Sequence, residues 1–228
     1  MADAPLPGPC APAWPSGPVR PHLEYGVVDV WSCDLDHCGE LELAHLSADE
    51  RTRASGIARE PARTRWARAR VILRELLASY LDEAPGELEL GVRAGGKPFL
   101  GRAGAPHFNL SHSGQLLLVA VSSTDPVGVD VELITLKERD VAAIASRALG
   151  PEQAARLAQI EDSAEQTREF LRVWVAHEAR GKLTGVGLAA RSEHGWVTEL
   201  ASGAQAVAAL ATASEPTAVR CWSWPPRD

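Results

Sequence analysis

The sequence has no long hydrophobic run, and its longest apolar stretches, such as Leu116 to Val121, are far too short to cross a bilayer. A membrane-spanning helix needs about 20 consecutive apolar residues. The N-terminus is rich in proline and alanine but lacks a basic segment followed by an apolar run, so we expect no signal peptide. These absences predict a cytoplasmic protein with no membrane partner.

An excess of basic residues is also missing. The formal net charge is −7, which argues against nucleic acid as a general partner. The charge is uneven, however, because eight arginines and one acid, Glu60, lie between Arg51 and Arg74. This cluster indicates either an anionic partner or a solvated helix face, and a nucleic-acid binder built on it remains an alternative.

Cysteines are few, at positions 10, 33, 38 and 221. Cys33, His37 and Cys38 lie close together, so zinc ligation is conceivable there. The sequence has no second ligand pair at zinc-finger spacing. Reduced thiols near the end of a strand are the favoured interpretation.

The pattern of the remaining residues predicts an α+β chain. Residues 1–25 are proline-rich and predict a flexible lead-in. A first strand is expected over 27–31, and Ser47 with Glu50 has the spacing of a capping box at the start of a helix. A longer helix is expected from about residue 61 to 81, because its apolar positions recur at helical spacing.

Short strands with turns between them follow. Residues 95–98 form a turn, and strands are expected over 108–110 and 116–122 around a Ser-His-Ser-Gly turn. A break at Asp125-Pro126 predicts an N-terminal half, 26–125, and a C-terminal half, 126–228. The C-terminal half should hold a strand, then helices that end at Gly185 and Gly187, then closing strands over 196–200, 206–211 and 218–224.

Two carboxylates fall on one face of the strand that opens the C-terminal half. Residues 127–132 alternate, so Asp130 and Glu132 point the same way. Like charges so close repel each other unless a cation lies near them. For this pair alone, the solvent face of an amphipathic strand is the simpler explanation.

A helical stripe supplies a third carboxylate. Phe170, Trp174, Glu178 and Lys182 are each four residues apart and share one face, which two aromatic residues should turn toward the core or a cleft. The alternative is an exposed Glu–Lys pair, which would also leave the aromatic rings exposed.

If this helix meets the strand, Asp130, Glu132 and Glu178 offer oxygen ligands to one Mg²⁺ ion. Mg²⁺ prefers octahedral oxygen coordination and often completes it with phosphates. Lys182 could then steady the same phosphates. Lys97, on a tight turn, and His112 could bind further phosphate oxygens.

Four strings together resemble the 4'-phosphopantetheinyl transferases of the type that activates surfactin synthetase. They are GKPF (96–99), FNLSHS (108–113), VGVDVE (127–132) and WVAHEARGKLTG (174–185), and the resemblance extends over roughly 27–224. It implies a pseudo-two-fold pair of similar α/β halves, each with a small antiparallel sheet packed with a long helix. It also implies a monomer that binds coenzyme A between the halves and modifies a serine of an acyl or peptidyl carrier protein.

The resemblance assigns roles by position. It implies that Asp130, Glu132 and Glu178 bind Mg²⁺, that Glu178 is also the general base, and that Lys182 lies near the diphosphate. The residues that it assigns to coenzyme A are Arg53, Arg65, Gly96, Lys97, Pro98, Ser111 and His112.

The chain departs from the family at one position of the helix. His177 stands where the family usually has lysine, and a histidine is only partly charged near neutral pH. The metal ligands and Lys182 are intact, so we expect an active enzyme. A non-catalytic, regulatory protein that binds coenzyme A is the alternative.

Overall fold

The computed structural model describes residues 12–93, 96–134, 141–185 and 195–225, which form the expected α+β fold. The elements form two blocks along the chain, and in each block one strand is followed by helices and then by further strands. The strands are β1 (Val27–Asp34), β2 (Leu90–Val92), β3 (Pro98–Leu100), β4 (His107–Ser113), β5 (Leu116–Ser122), β6 (Val127–Leu133), β7 (Trp196–Leu200), β8 (Ala206–Thr212) and β9 (Ala218–Ser223). The helices are α1 (Ala48–Ser55), α2 (Ala62–Leu81), α3 (Val141–Ala148), α4 (Pro151–Leu157) and α5 (Ser163–Thr184).

The two blocks share one topology, which confirms the predicted pair of similar halves. In the first, β1 is followed by α2 and the β4–β5 hairpin, and the strand order is β4-β5-β1. In the second, β6 is followed by α5 and the β7–β8 hairpin, and the order is β7-β8-β6. Neighbouring strands within these sets are antiparallel.

The halves stack as helix, sheet, sheet and helix. Helix α2 covers the outer face of the first sheet through residues such as Leu73 and Leu77. The inner faces share a second core, which includes Val30 of β1 and Val129 of β6. Helix α5 covers the other face of the second sheet. Strands β1, β5 and β8 are therefore buried along their whole length, as expected for strands covered on both faces.

Helices α1 and α5 begin and end, respectively, with the capping residues that the sequence predicts. Ser47 and Glu50 form the reciprocal capping box at the start of α1. Gly185 ends α5 in the left-handed conformation, with φ of 75°, which glycine adopts without steric cost. Gly95 and Gly187, also predicted at turns, lie outside the described residues.

Part of the predicted flexible lead-in, residues 12–25, makes specific contacts with the rest of the protein. The Trp14 indole donates a hydrogen bond to the Ala201 carbonyl (2.9 Å), and the Ser223 amide donates to the Pro15 carbonyl (2.7 Å). Packing of Trp14 against the inner core, which a proline-rich composition does not reveal, holds this segment in place. Residues 1–11 lie outside the described part of the chain.

Two further differences concern strands. Strand β9 pairs in parallel with β1, so residues of the predicted C-terminal half complete the sheet of the N-terminal half. Strand β4 continues to Ser113, so the predicted Ser-His-Ser-Gly turn is confined to its end, and Ser111 and His112 lie on the strand. In the part of the chain that the structure describes, no helix has the length and apolar character needed to cross a membrane.

Candidate active site

Strands β4 and β6 lie side by side where the two sheets meet. The Val129 amide of β6 donates a hydrogen bond to Asn109 Oδ1 of β4 (2.9 Å). Ser111 Oγ donates to Asp130 Oδ1 (2.7 Å), and Ser113 Oγ donates to Glu132 Oε2 (2.7 Å). The two serine pairs have the same sequence offset, so the strands run in parallel and their side chains bridge the boundary between the halves.

Helix α5 brings Glu178 to the same place. Burial is the main cause that raises the pKa of Glu178 above its usual value, and the nearby Asp130 and Glu132 carboxylates raise it further, while Lys182 opposes them. Asp130 Oδ2 and Glu178 Oε1 are buried and accept no hydrogen bond from the described residues. The predicted meeting of strand and helix is therefore present, and we name Asp130, Glu132 and Glu178 the acidic centre.

Lys182 supplies the positive charge at the acidic centre. Its Nζ lies 2.7 Å from Asp130 Oδ1 and also donates to the Val129 carbonyl (3.2 Å). The stripe on α5 is formed as the spacing predicts, with Phe170 stacked on Trp174 at 6.1 Å between ring centroids. Phe170 is buried in the core, which orients the polar end of the stripe toward β6.

The acidic centre does not form a ready metal cage. Over residues 12–93, 96–134, 141–185 and 195–225, no group of three or more His, Cys, Asp or Glu side chains is arranged to hold a metal ion. Lys182 already occupies one oxygen of Asp130. The two buried oxygens without donors nevertheless suit a hard cation, because ionised carboxylates only accept and Mg²⁺ prefers oxygen ligands.

A cavity of about 430 Å³ opens beside Lys182 and extends over α1 and α2. Gly96, Pro98, Ser111, His112 and Arg53, five of the residues predicted to bind coenzyme A, line it. Burial lowers the pKa of His112, as do the neighbouring Lys182 and Arg65 charges. These surroundings favour the neutral imidazole, which has one N–H to donate to an anion.

The cavity also contains two residues that sequence reasoning missed. Trp66 lines it, and the guanidinium carbons of Arg53 and Arg70 lie 5.7 and 6.0 Å from its ring centroid. Arg70 Nε donates to Glu50 Oε1 (2.8 Å), which also makes Glu50 part of the wall. Trp66 is one of the apolar positions that recur at helical spacing in α2, so the pattern alone indicates a core residue. Arg70, four residues later on the same helix face, is the local signal that could have marked Trp66 as a cation–π site.

Two predicted phosphate ligands point elsewhere. Lys97 Nζ donates to the carbonyls of Val127 (3.1 Å) and Lys182 (2.6 Å) and so joins the two halves. Burial lowers its pKa to about 8, and the Arg93 and Lys182 charges contribute. Arg65 Nε donates to Asp36 Oδ1 (2.9 Å). Both residues flank the cleft, but both bind protein oxygens.

Other parts of the arginine cluster are structural. Arg70 and Arg74 are buried and share Glu50 as their ion-pair partner. Arg68 donates to the Leu35 carbonyl (2.5 Å). The interpretation of the arginine cluster as a solvated helix face therefore holds for only part of it. Cys33 and Cys38 are buried free thiols, as the favoured interpretation holds, whereas Cys10 lies outside the described residues.

The cavity has Lys182 and Ser111 in its wall, and both of these side chains contact Asp130 of the acidic centre. A cavity with cationic side chains next to a cluster of carboxylates is typical of an enzyme that handles a phosphorylated ligand. Residues 126–224, which include the acidic centre, match the family described as the 4'-phosphopantetheinyl transferase superfamily. The 4'-phosphopantetheinyl transferase HetI of Nostoc sp. (strain PCC 7120) is 36% identical over 173 residues, which are 73% of this chain and 72% of that protein. The chain belongs to the 4'-phosphopantetheinyl transferase superfamily and is a transferase.

Two Bacillus subtilis relatives agree. One, a 4'-phosphopantetheinyl transferase, is 30% identical over 146 residues, or 64% of this chain and 63% of that protein. The other, the 4'-phosphopantetheinyl transferase Sfp of strain 168, is 29% identical over 119 residues, or 52% of this chain and 50% of that protein. The chain thus spans between half and two thirds of the length of these two relatives.

Proposed function

We propose that the protein transfers phosphopantetheine from coenzyme A to a serine of an acyl or peptidyl carrier protein, with Mg²⁺, and releases 3',5'-ADP. The observation that carries the proposal is the pair of buried acceptor oxygens, on Asp130 and Glu178, beside the Lys182 ammonium at one end of the basic cavity. The other end of the cavity, between α1 and α2, has the Arg53 guanidinium, which could contact a phosphate of the nucleotide.

The acidic centre would hold the metal through Asp130, Glu132 and Glu178, and the bound metal would neutralise charge on the diphosphate of coenzyme A and on the departing 3',5'-ADP. The Lys182 ammonium lies where it can contact the same phosphates, one helical turn beyond Glu178. The ammonium would have to leave Asp130 Oδ1 to free that oxygen, and coenzyme A offers it a diphosphate oxygen in exchange.

The residues of this chain also supply the proton transfer. The Glu178 carboxylate, whose pKa burial raises, accepts the proton of the carrier serine hydroxyl. The serine oxygen then attacks the phosphorus next to pantetheine, and the bond from that phosphorus to the bridging oxygen breaks. Lys182 balances the charge that develops on the leaving oxygen.

Coenzyme A is assigned to the cavity through Arg53, His112 and the turn at Gly96 and Pro98. Lys97 and Arg65 belong to this set if they exchange their present protein partners for phosphate oxygens. We further propose a cytoplasmic monomer that acts on carrier proteins and binds neither nucleic acid nor membrane. Since the protein is acidic overall, docking of an acidic carrier protein should depend on a local basic or apolar patch.

The test is incubation with coenzyme A, MgCl₂ and a panel of apo carrier proteins from fatty-acid, polyketide and nonribosomal-peptide systems. Intact-mass spectrometry should show a phosphopantetheine adduct on at least one carrier protein, and EDTA should abolish it. Asp130→Asn is the matched control and should remain folded but inactive. Tight binding of coenzyme A without transfer to any carrier protein would instead favour the regulatory homologue.

A further inference from the structure

Building on the proposed function, we infer that Ser113 is a positioning residue that orients the Glu132 carboxylate for the divalent cation. The hydroxyl of Ser113 lies at the end of β4, across the boundary between the halves from the end of β6. Its two hydrogen bonds to β6 are the reason for the assignment.

Those two bonds fix the direction of the hydroxyl. The Leu133 amide donates to Ser113 Oγ (3.1 Å), and Ser113 Oγ donates to Glu132 Oε2 (2.7 Å). A serine hydroxyl has one proton, and the backbone amide already uses one of its lone pairs. The backbone of β6 therefore holds the oxygen of Ser113, and Ser113 in turn holds the carboxylate of the neighbouring residue.

Side chains alternate between the two sides of β4, and this alternation places Ser113 on the side that faces β6. Asn109, Ser111 and Ser113 are two residues apart and share one side of the strand. Asn109 accepts from the Val129 amide, Ser111 donates to Asp130, and Ser113 donates to Glu132. Each acidic residue of β6 thus has its own serine on β4.

Ser113 differs from Ser111 in its position relative to the cavity. Ser111 is one of the cavity-lining residues, whereas Ser113 is not among them. Ser113 would then act on the reaction through Glu132 rather than through contact with coenzyme A. Groups that orient a metal ligand commonly change metal affinity or activity by about 10- to 100-fold when they are removed.

The experiment measures Mn²⁺ binding to the full chain with saturating coenzyme A, by electron paramagnetic resonance of free Mn²⁺. Ser113→Ala should raise the Mn²⁺ dissociation constant by about 10-fold and should raise the Mg²⁺ concentration needed for half-maximal transfer. Ser113→Thr, which keeps the hydroxyl, should restore both values. An unchanged dissociation constant in Ser113→Ala would overturn the inference.

A double-mutant cycle separates positioning from general structural damage. In a Glu132→Ala background, Ser113→Ala should have no further effect on Mn²⁺ binding, because the group through which it acts is gone. Equal losses in both backgrounds would overturn the inference. The proposed function fails separately if wild-type protein and Asp130→Asn bind Mn²⁺ equally, whereas a difference between these two with no effect of Ser113→Ala contradicts only the inference.

Discussion

Lys97 and Lys182 have the same side chain but different roles, because their hydrogen-bond partners differ. Lys182 lies against a carboxylate of the acidic centre, where its charge is compensated. Lys97 has two carbonyl oxygens as partners and two cationic neighbours, so burial lowers its pKa to about 8. Its hydrogen bonds hold β6 and the end of α5 together, but its charge is partly uncompensated.

Because the pKa of Lys97 is lowered in the folded protein, Lys97 should make the free energy of unfolding depend on pH. Below pH 8 the lysine is protonated in both the folded and the unfolded chain, so its contribution is constant. Between pH 8 and the ordinary pKa of 10.5, the unfolded chain keeps a proton that the folded chain has lost, so stability should rise with pH relative to Lys97→Met. Denaturant midpoints of both proteins at pH 7.5 and 9.5 measure this, and a pH-independent difference would contradict it.

Replacement of Lys182 should affect the chemical step more than ground-state binding. Lys182→Met removes the charge that faces the leaving phosphate oxygen of 3',5'-ADP, so kcat should fall by about 100-fold while coenzyme A affinity changes much less. Single-turnover transfer rates and calorimetric binding of coenzyme A give the two values. An affinity loss as large as the rate loss would assign Lys182 to binding alone.

How far single residues could be predicted depends on where their partners lie. Asp130 with Glu132, and Glu178 with Lys182, follow from local periodicity, and the helix and strand do meet as expected. The direction of Lys97 could not be predicted, because its partners are carbonyls 30 and 85 residues away. Arg65 pairs with Asp36, which is 29 residues away, so no local pattern predicts this pair either.

At the scale of elements, the close approach of α5 to β6 determines the site. Gly128 allows it, because a Cβ there would lie 2.5 Å from the Leu183 amide nitrogen and closer still to the Ala179 carbonyl oxygen. Both atoms belong to the helix backbone and cannot rotate away. Ala179 and Leu183 each follow a functional residue, Glu178 and Lys182, so the same approach brings both side chains to Asp130.

Gly128→Ala should therefore destabilise the protein and disable the site. Overpacking of this kind costs about 1–3 kcal/mol, and displacement of α5 should also reduce transfer to near background. Gly86→Ala is the matched control, because its added Cβ would have no neighbour within 4 Å and its φ is ordinary. Urea denaturation and transfer assays on both variants test this. Wild-type behaviour of Gly128→Ala would show that α5 can shift freely.

At the scale of the whole molecule, the two halves are bound to each other more tightly than their separate topologies suggest. The two halves share the inner core and contact each other along β4 and β6. In addition, strand β9 follows the second half in the chain but pairs with β1 of the first half. The similar halves are predicted only through the resemblance to the transferase family, because the residues themselves show no legible repeat. The return of β9 could not be predicted, because a short strand of ordinary composition does not specify which sheet edge it joins.

We expect the halves to unfold in one transition. A shared core exposes apolar surface in both halves as soon as either one opens, so a state with one folded half is unfavourable. Tryptophan fluorescence and far-UV circular dichroism should give the same midpoint in urea. Separate midpoints would show that the halves are independent folding units.

The path of β9 makes the protein a natural subject for fragment complementation. A cut at Asp125-Pro126 falls in the turn between β5 and β6 and breaks no strand pair. Residues 1–125 would then lack the strand that lies beside β1, and 126–228 would carry that strand with no sheet to receive it. Each piece expressed alone should aggregate, whereas co-expressed pieces should reassemble into a transferase whose activity reports their association.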